Sequence, residues 1–124
     1  MRELLFSAAR HFKRGTSLAD RGDLRGAAVA YHEALLDLHA VKPQRMRDVL
    51  LAQVYLSRAR IEADVDPERA DADFRLGYSY ARTTQEPHVR DLAERMRRER
   101  RRASERREAS DRRTPDPRTD AATD

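Results

Sequence analysis

The sequence of 124 residues has no cysteine and no tryptophan, only four glycines, and few aromatic residues, which make up 6% of the chain. The absence of cysteine excludes disulfide frameworks, thiolate zinc sites and cysteine nucleophiles. Few glycines, and no strand-like clusters of β-branched or aromatic residues, disfavour a turn-rich β fold. The stretch Leu4 to Phe6 is too short for a signal-peptide core or a membrane span. We therefore expect one helical domain in the cytoplasm, with no membrane contact.

Apolar residues recur at intervals of three and four residues along successive segments of the chain, which predicts amphipathic helices. Gly22 can adopt the left-handed conformation that ends a helix, and Asp23 and Asp66 can cap the helices that follow them. Pro67 suits the first turn of a helix. The expected helices cover residues 3–20, 24–41, 44–63 and 67–82, with a fifth from about residue 87.

The chain is predicted to divide into three parts. The apolar stripe of the fifth helix stops after Met96, so residues 1–96 are expected to form the folded helical domain. Residues 97–110 are expected to form an exposed, Arg-rich helical extension, because helix propensity continues there while apolar residues are nearly absent. Residues 111–124 contain Pro, Thr, Asp and Ala without a large apolar residue, which predicts a disordered tail.

The first two expected helices carry a spaced pattern of small and aromatic residues. Small residues let two helices approach closely, an aromatic side chain fills the space beside them, and a glycine occupies the turn. The pattern resembles the tetratricopeptide repeat, and its residues are Gly15, Leu18, Gly22, Ala27, Tyr31 and Ala34. A second copy follows, in which Ala70 and Phe74 align with Ala27 and Tyr31, and the small residue of the first helix falls on Arg58. The microtubule-interacting and transport domain has a similar first hairpin, so it is a competing identification.

The resemblance implies an all-α fold, namely a short α-solenoid of two antiparallel helix hairpins plus a fifth, basic C-terminal helix. It also implies a groove, lined by the first helix of each hairpin, that binds a peptide or helix of another protein. The groove residues expected to contact this partner are Phe12, Thr16, Tyr55, Ala59 and Glu62. Phe12 and Thr16 replace the residues that clamp a peptide carboxylate in related grooves, so an apolar helix or extended peptide is the expected ligand. A face left uncovered by so short a stack would instead support a homodimer.

Enzymatic function is not expected, because the sequence has no metal-binding HExxH pattern, no glycine-rich phosphate loop and no nucleophile elbow. No cofactor and no metal is predicted. The four histidines are expected at the surface. The acidic residues after Ala63 are expected to cap a helix, as Asp66 does, or to face solvent, as Asp71 and Asp73 would.

The segment 95–107 carries eight arginines against Glu99 and Glu105. Arginines that neutralise phosphates release counterions, so this segment supports an alternative function as a nucleic-acid-associated factor. The expected phosphate contacts are Arg95, Arg98, Arg101, Arg102 and Arg106. No aromatic residue lies between the arginines to stack on bases. Acidic and basic residues four positions apart are equally typical of a solvated helix, and the pairs here are Glu94 with Arg98, Arg95 with Glu99, and Arg101 with Glu105. Binding of an acidic protein is a third interpretation.

Overall fold

The computed structural model describes residues 2–113, and this part of the chain is all-helical. Helix α1 packs against α2 and helix α3 packs against α4, so the chain forms two hairpins, and α3 also contacts both α1 and α2. The prediction of two helix hairpins and a fifth helix is confirmed. None of the helices described is long and apolar enough to cross a membrane. The five helices are Arg2–Asp20 (α1), Leu24–His39 (α2), Arg45–Glu62 (α3), Pro67–Thr84 (α4) and Pro87–Arg113 (α5).

Local signals at the helix ends act as the sequence predicts. Gly22 has a φ of 86°, in the left-handed region that favours glycine. The Asp23 carboxylate accepts a hydrogen bond of 2.9 Å from the backbone N–H of Gly26, which caps α2. Asp66 caps α4 in the same way, because its carboxylate accepts a bond of 3.1 Å from a backbone N–H in the first turn. Gln85 ends α4 with a φ of 56°, a left-handed turn that the sequence did not indicate.

The first hairpin is held by a close approach between α1 and α2. A Cβ atom on Gly15 would lie 2.6 Å from Cε1 of Tyr31, so only glycine fits there without displacing the ring. Tyr31 and Ala27 are buried, and the Phe12 ring lies 5.9 Å from the Tyr31 ring between centroids. The Tyr31 hydroxyl lies 3.2 Å from Oγ1 of Thr16. The packing predicted for this hairpin is therefore confirmed.

The second hairpin uses different contacts. Its close approach joins Gly77 to Leu56, whose Cγ would lie 2.8 Å from a Cβ on the glycine. Phe74, expected to fill the hairpin as Tyr31 does, is only half-buried, and its ring lies 5.7 Å from that of Tyr78 on the same helix. The contact between a glycine and an aromatic ring seen in the first hairpin is not repeated here, because Arg58 stands at the position that aligns with Gly15.

Helix α3 lies at the centre of the core. Leu51, Ala52, Val54 and Leu56 have no exposed surface, although these four residues point to different sides of the helix. Helix α3 is therefore buried on more than one side. On one side α3 packs against α4, and on another it shares a core cluster with residues of α2. The α2 residues of that cluster are Ala27, Tyr31, Ala34, Leu35 and Leu38.

The chain divides into two compact units, with the boundary between Ala93 and Glu94. The first unit contains both hairpins and the start of α5, where Val89 and Ala93 are buried. In the second unit the predicted Arg-rich extension, residues 97–110, is helical. The helix continues to Arg113, three residues into the segment predicted to be disordered. Residues 114–124 of that predicted tail lie outside the described residues.

Candidate functional site

The five residues predicted to contact a partner differ widely in exposure. Thr16 is exposed, Phe12 is half-buried, and the Glu62 side chain is 12% exposed. Tyr55 is 7% exposed and Ala59 is 1% exposed, so both belong to the interior. Buried side chains offer a partner little surface, although the binding role of the five residues stays a prediction.

A buried ion pair joins the two helices of the second hairpin. The Arg58 guanidinium donates two hydrogen bonds to the Asp73 carboxylate, of 2.7 Å from Nε and 2.8 Å from Nη2. Arg58 is 8% exposed and Asp73 is 3% exposed. The expectation that Asp73 faces solvent is therefore wrong. The sequence feature that indicates the burial of Asp73 is its position three residues after Ala70 and four before Gly77, on the buried face of α4.

Glu62 is a second carboxylate beside the same guanidinium. Its Oε1 lies 3.8 Å from Nε of Arg58 and 3.4 Å from Nε of Arg69. Its Oε2 is buried and makes no hydrogen bond within the described part of the chain. Burial, followed by the neighbouring Asp73 carboxylate, raises the pKa of Glu62 to about 7, and the two arginines only partly oppose this. Glu62 thus changes protonation near neutral pH.

Tyr55 connects this charged group to an aromatic cluster. Its hydroxyl lies 2.9 Å from Nε2 of His39 at the end of α2. Its ring stacks on Tyr80, with 6.3 Å between centroids and 3° between planes, and Arg58 lies 5.7 Å from the centroid of the Tyr55 ring. Burial raises the pKa of the Tyr55 hydroxyl. These contacts give Tyr55 a structural role at the junction of the two hairpins.

A surface groove runs between α2 and the turn that joins α3 to α4, and we call it the interhairpin groove. It consists of two adjoining hollows of about 400 and 360 Å³, both lined by Ala28, Glu62 and Arg69. Most of the exposed lining is apolar. The remaining lining residues are Leu24, Arg25, Val29, His32, Arg58, Ile61, Val65 and Asp66.

Large apolar side chains stand exposed along the interhairpin groove. Leu24 is 43% exposed, Val29 is 55% exposed and Val65 is 79% exposed. Farther along α2, Leu36 is 60% exposed and lies seven residues from Val29, on the same face of the helix. Of the five predicted partner contacts, only Glu62 lines this groove. The spacing of Val29 and Leu36, opposite the buried face of α2, was the available signal.

The histidines lie in different environments. His11 Nδ1 is 3.1 Å from Glu33 and its Nε2 is 3.8 Å from Asp37, so this histidine links α1 to α2. His32 lines the interhairpin groove. Among residues 2–113, no group of three or more histidine, aspartate or glutamate side chains is placed to hold a metal ion.

The arginines predicted to contact phosphates all lie on the exposed surface of α5, within the second unit. Arg101 Nε lies 3.5 Å from Glu105, an ion pair four residues apart along the helix. Arg97 lies 3.0 Å from Glu94. The pair of Arg101 with Glu105 is one of those that the sequence predicts, whereas Glu94 pairs with Arg97 and not with the predicted Arg98.

Three comparisons of this chain, with protein-family models, with curated proteins and with solved structures, found no match. The resemblance to the tetratricopeptide repeat therefore depends on the residues themselves. Its best-supported part is the close packing of Gly15, Ala27 and Tyr31 in the first hairpin, and membership of that family stays a prediction.

Proposed function

We propose that this chain is a non-catalytic protein-interaction module that binds a peptide or helix of a partner protein in the interhairpin groove. The observation that carries the proposal is the row of exposed apolar side chains at the groove, Leu24, Val29 and Val65. Exposed apolar side chains that line a groove bordered by charged residues are typical of protein-binding sites.

The chemistry of the groove favours an apolar anchor with a polar neighbour. Ala28, Ile61 and Val65 form walls suited to an aliphatic or aromatic side chain of the partner. Glu62 and Arg69 line both hollows and supply polar groups where the hollows adjoin. The exposed guanidinium of Arg69 can donate a hydrogen bond to a carbonyl or carboxylate of the partner, which would fix the orientation of the bound segment.

The proposal keeps the protein-binding function that the tetratricopeptide resemblance implies but moves the contact surface. Tyr55 and Ala59 are buried, so a partner could reach them only after the helices separate. Val29 and Leu36 on α2 are exposed and need no such movement. Glu62 is the residue that both contact surfaces share.

The proposal is tested by placing a photo-crosslinking amino acid at Val65 in cells that express the protein naturally. A second chain carries the same amino acid at Phe6, which is a matched control because it is an exposed apolar residue, 62% accessible, outside the groove lining. We expect a partner protein to crosslink at Val65 and not at Phe6.

The purified partner is then titrated against the variants Val29→Asp and Val65→Asp and the control Phe6→Asp. Loss of one apolar contact is expected to raise the dissociation constant about tenfold, equivalent to about 1.4 kcal/mol, whereas the control stays within about twofold of the wild type. The proposal would be overturned by equal crosslinking at both positions, or by groove variants whose dissociation constants equal that of the wild type. A crosslink between two copies of this chain would assign the groove to self-association instead.

A further inference from the structure

One face of the second unit consists of arginines. In α5, Arg95, Arg98, Arg102 and Arg106 follow one another at intervals of three, four and four residues, and all four are exposed. At 3.6 residues per turn these intervals place them within an arc of about 80°, along about 16 Å of helix axis. We call this surface the arginine face.

The acidic residues of the same segment lie outside that arc. Glu94 and Glu105 pair with Arg97 and Arg101, two arginines that are not part of the arginine face. Glu99 lies just outside the arc, on the side opposite to Glu94 and Glu105. The arginine face therefore carries four positive charges without an acid among them, whereas the remaining arginines are interspersed with carboxylates.

The arginine face also lacks the features of a protein-binding or single-strand-binding surface. A helix that docks on another protein needs apolar side chains to exclude water, and the apolar residues from position 97 onward in this helix are Ala103 and Ala109. Binding of single strands uses aromatic side chains that stack on bases, and residues 94–113 contain none. Guanidinium groups instead match phosphates, to which they donate paired hydrogen bonds.

We infer that the arginine face binds the phosphate backbone of double-stranded nucleic acid without regard to sequence. An α-helix spaces these four positions by about 4.5–6 Å along its axis, which suits the regular array of phosphates on a duplex. Arg101, which the sequence placed among the phosphate contacts, is outside this assignment because it pairs with Glu105.

The number of phosphates contacted predicts how strongly duplex binding depends on salt concentration. Four neutralised phosphates on duplex DNA predict a slope of about −3.6 for the logarithm of the association constant against the logarithm of salt concentration. Raising the salt from 50 to 200 mM is then expected to weaken binding on the order of 100-fold.

The test uses the full-length chain and fluorescently labelled 20-base-pair RNA and DNA duplexes, titrated at several salt concentrations. The face variant replaces Arg95, Arg98, Arg102 and Arg106 with Gln. The control variant replaces four arginines of the same helix outside the face, which changes the net charge equally, and these are Arg97, Arg100, Arg101 and Arg107. A third variant carries Lys at the four face positions, and circular dichroism compares the helix content of all the chains.

We expect the face variant to lose duplex binding and its salt slope, while the control and lysine variants keep a slope near that of the wild type. Equal losses in the face and control variants would overturn the inference, because binding would then follow net charge and not the arginine face. If the Gln face variant loses helix content, the test depends on the lysine and control variants. A control variant that binds the duplex as weakly as the face variant would again refute the inference. Tighter binding to single strands, or to polyglutamate with the same slope, would also refute it.

Discussion

The buried ion pair between Arg58 and Asp73 allows a quantitative test of how the second hairpin is stabilised. Each side chain is almost fully removed from solvent, so deleting one partner leaves the other as an uncompensated buried charge. We expect Asp73→Leu and Arg58→Met each to lower the free energy of unfolding by about 3 kcal/mol. For Asp73→Leu this is the lower end of the usual range, because the Asp73 charge that raises the pKa of Glu62 is gone and Glu62, 3.8 Å from Arg58, can ionise in its place. Arg58→Met has no such compensation, so its loss should be at least as large.

The double variant Arg58→Met/Asp73→Leu removes both charges and fills the space with apolar atoms. We expect its free energy of unfolding to lie within about 1 kcal/mol of the wild type, because the desolvation cost of both charges disappears together. The assay is urea unfolding followed by circular dichroism at pH 6, below the pKa of about 7 at which Glu62 ionises. A double variant destabilised by the sum of the two single losses would show that the residues act independently and would refute the reasoning.

Two further predictions concern a titrating group and two glycines. The pKa of Glu62 is raised from 4.5 to about 7 in the folded chain, so the folded state binds this proton more tightly than the unfolded state does. The free energy of unfolding should therefore fall by about 1–3 kcal/mol as the pH rises from 4.5 to about 7, and it should level off above that pH. Urea unfolding of Glu62→Gln from pH 4 to 8 should show this component removed, and an unchanged pH slope would contradict the assignment. Gly15→Val should lower the free energy of unfolding by about 2 kcal/mol, because the valine side chain meets the Tyr31 ring. Gly22→Asn should lower it by less than about 1 kcal/mol, because no atom lies within 4 Å of the added Cβ and Asn tolerates a positive φ. Thermal or urea unfolding that reverses this order would contradict the packing described for α1 and α2.

Two proposed binding surfaces lie in different units of the chain, and their chemistry differs. The interhairpin groove offers apolar side chains such as Val29 and Val65, so its binding should depend little on salt. The arginine face offers charge alone, so its binding should weaken steeply with salt. Deletion of residues 94–124 therefore separates the two functions, because it removes the arginine face and leaves the groove residues in place.

Several parts of the structure could be derived from the sequence because their causes are local. Asp23 and Asp66 cap helices through backbone groups three residues away, and Gly22 takes the positive φ that a tight turn requires. The contact between Gly15 and Tyr31 was also predictable, since it joins neighbouring helices linked by a short turn. Such interactions involve few alternatives, and residue type together with spacing is enough to select among them.

The tertiary structure alone decided which polar and apolar side chains are covered. The spacing of Asp73 from Ala70 and Gly77 places it on the buried face of α4, but only the packed hairpin shows that its charged partner is Arg58. Tyr55 is likewise covered by His39 and Tyr80, which come from other helices. The exposure of a side chain depends on the positions and crossing of all neighbouring helices, and a helical repeat of apolar residues does not contain that information. For this reason the helices of this protein were evident from its sequence, whereas the groove and the buried ion pair appeared only once the hairpins were packed together.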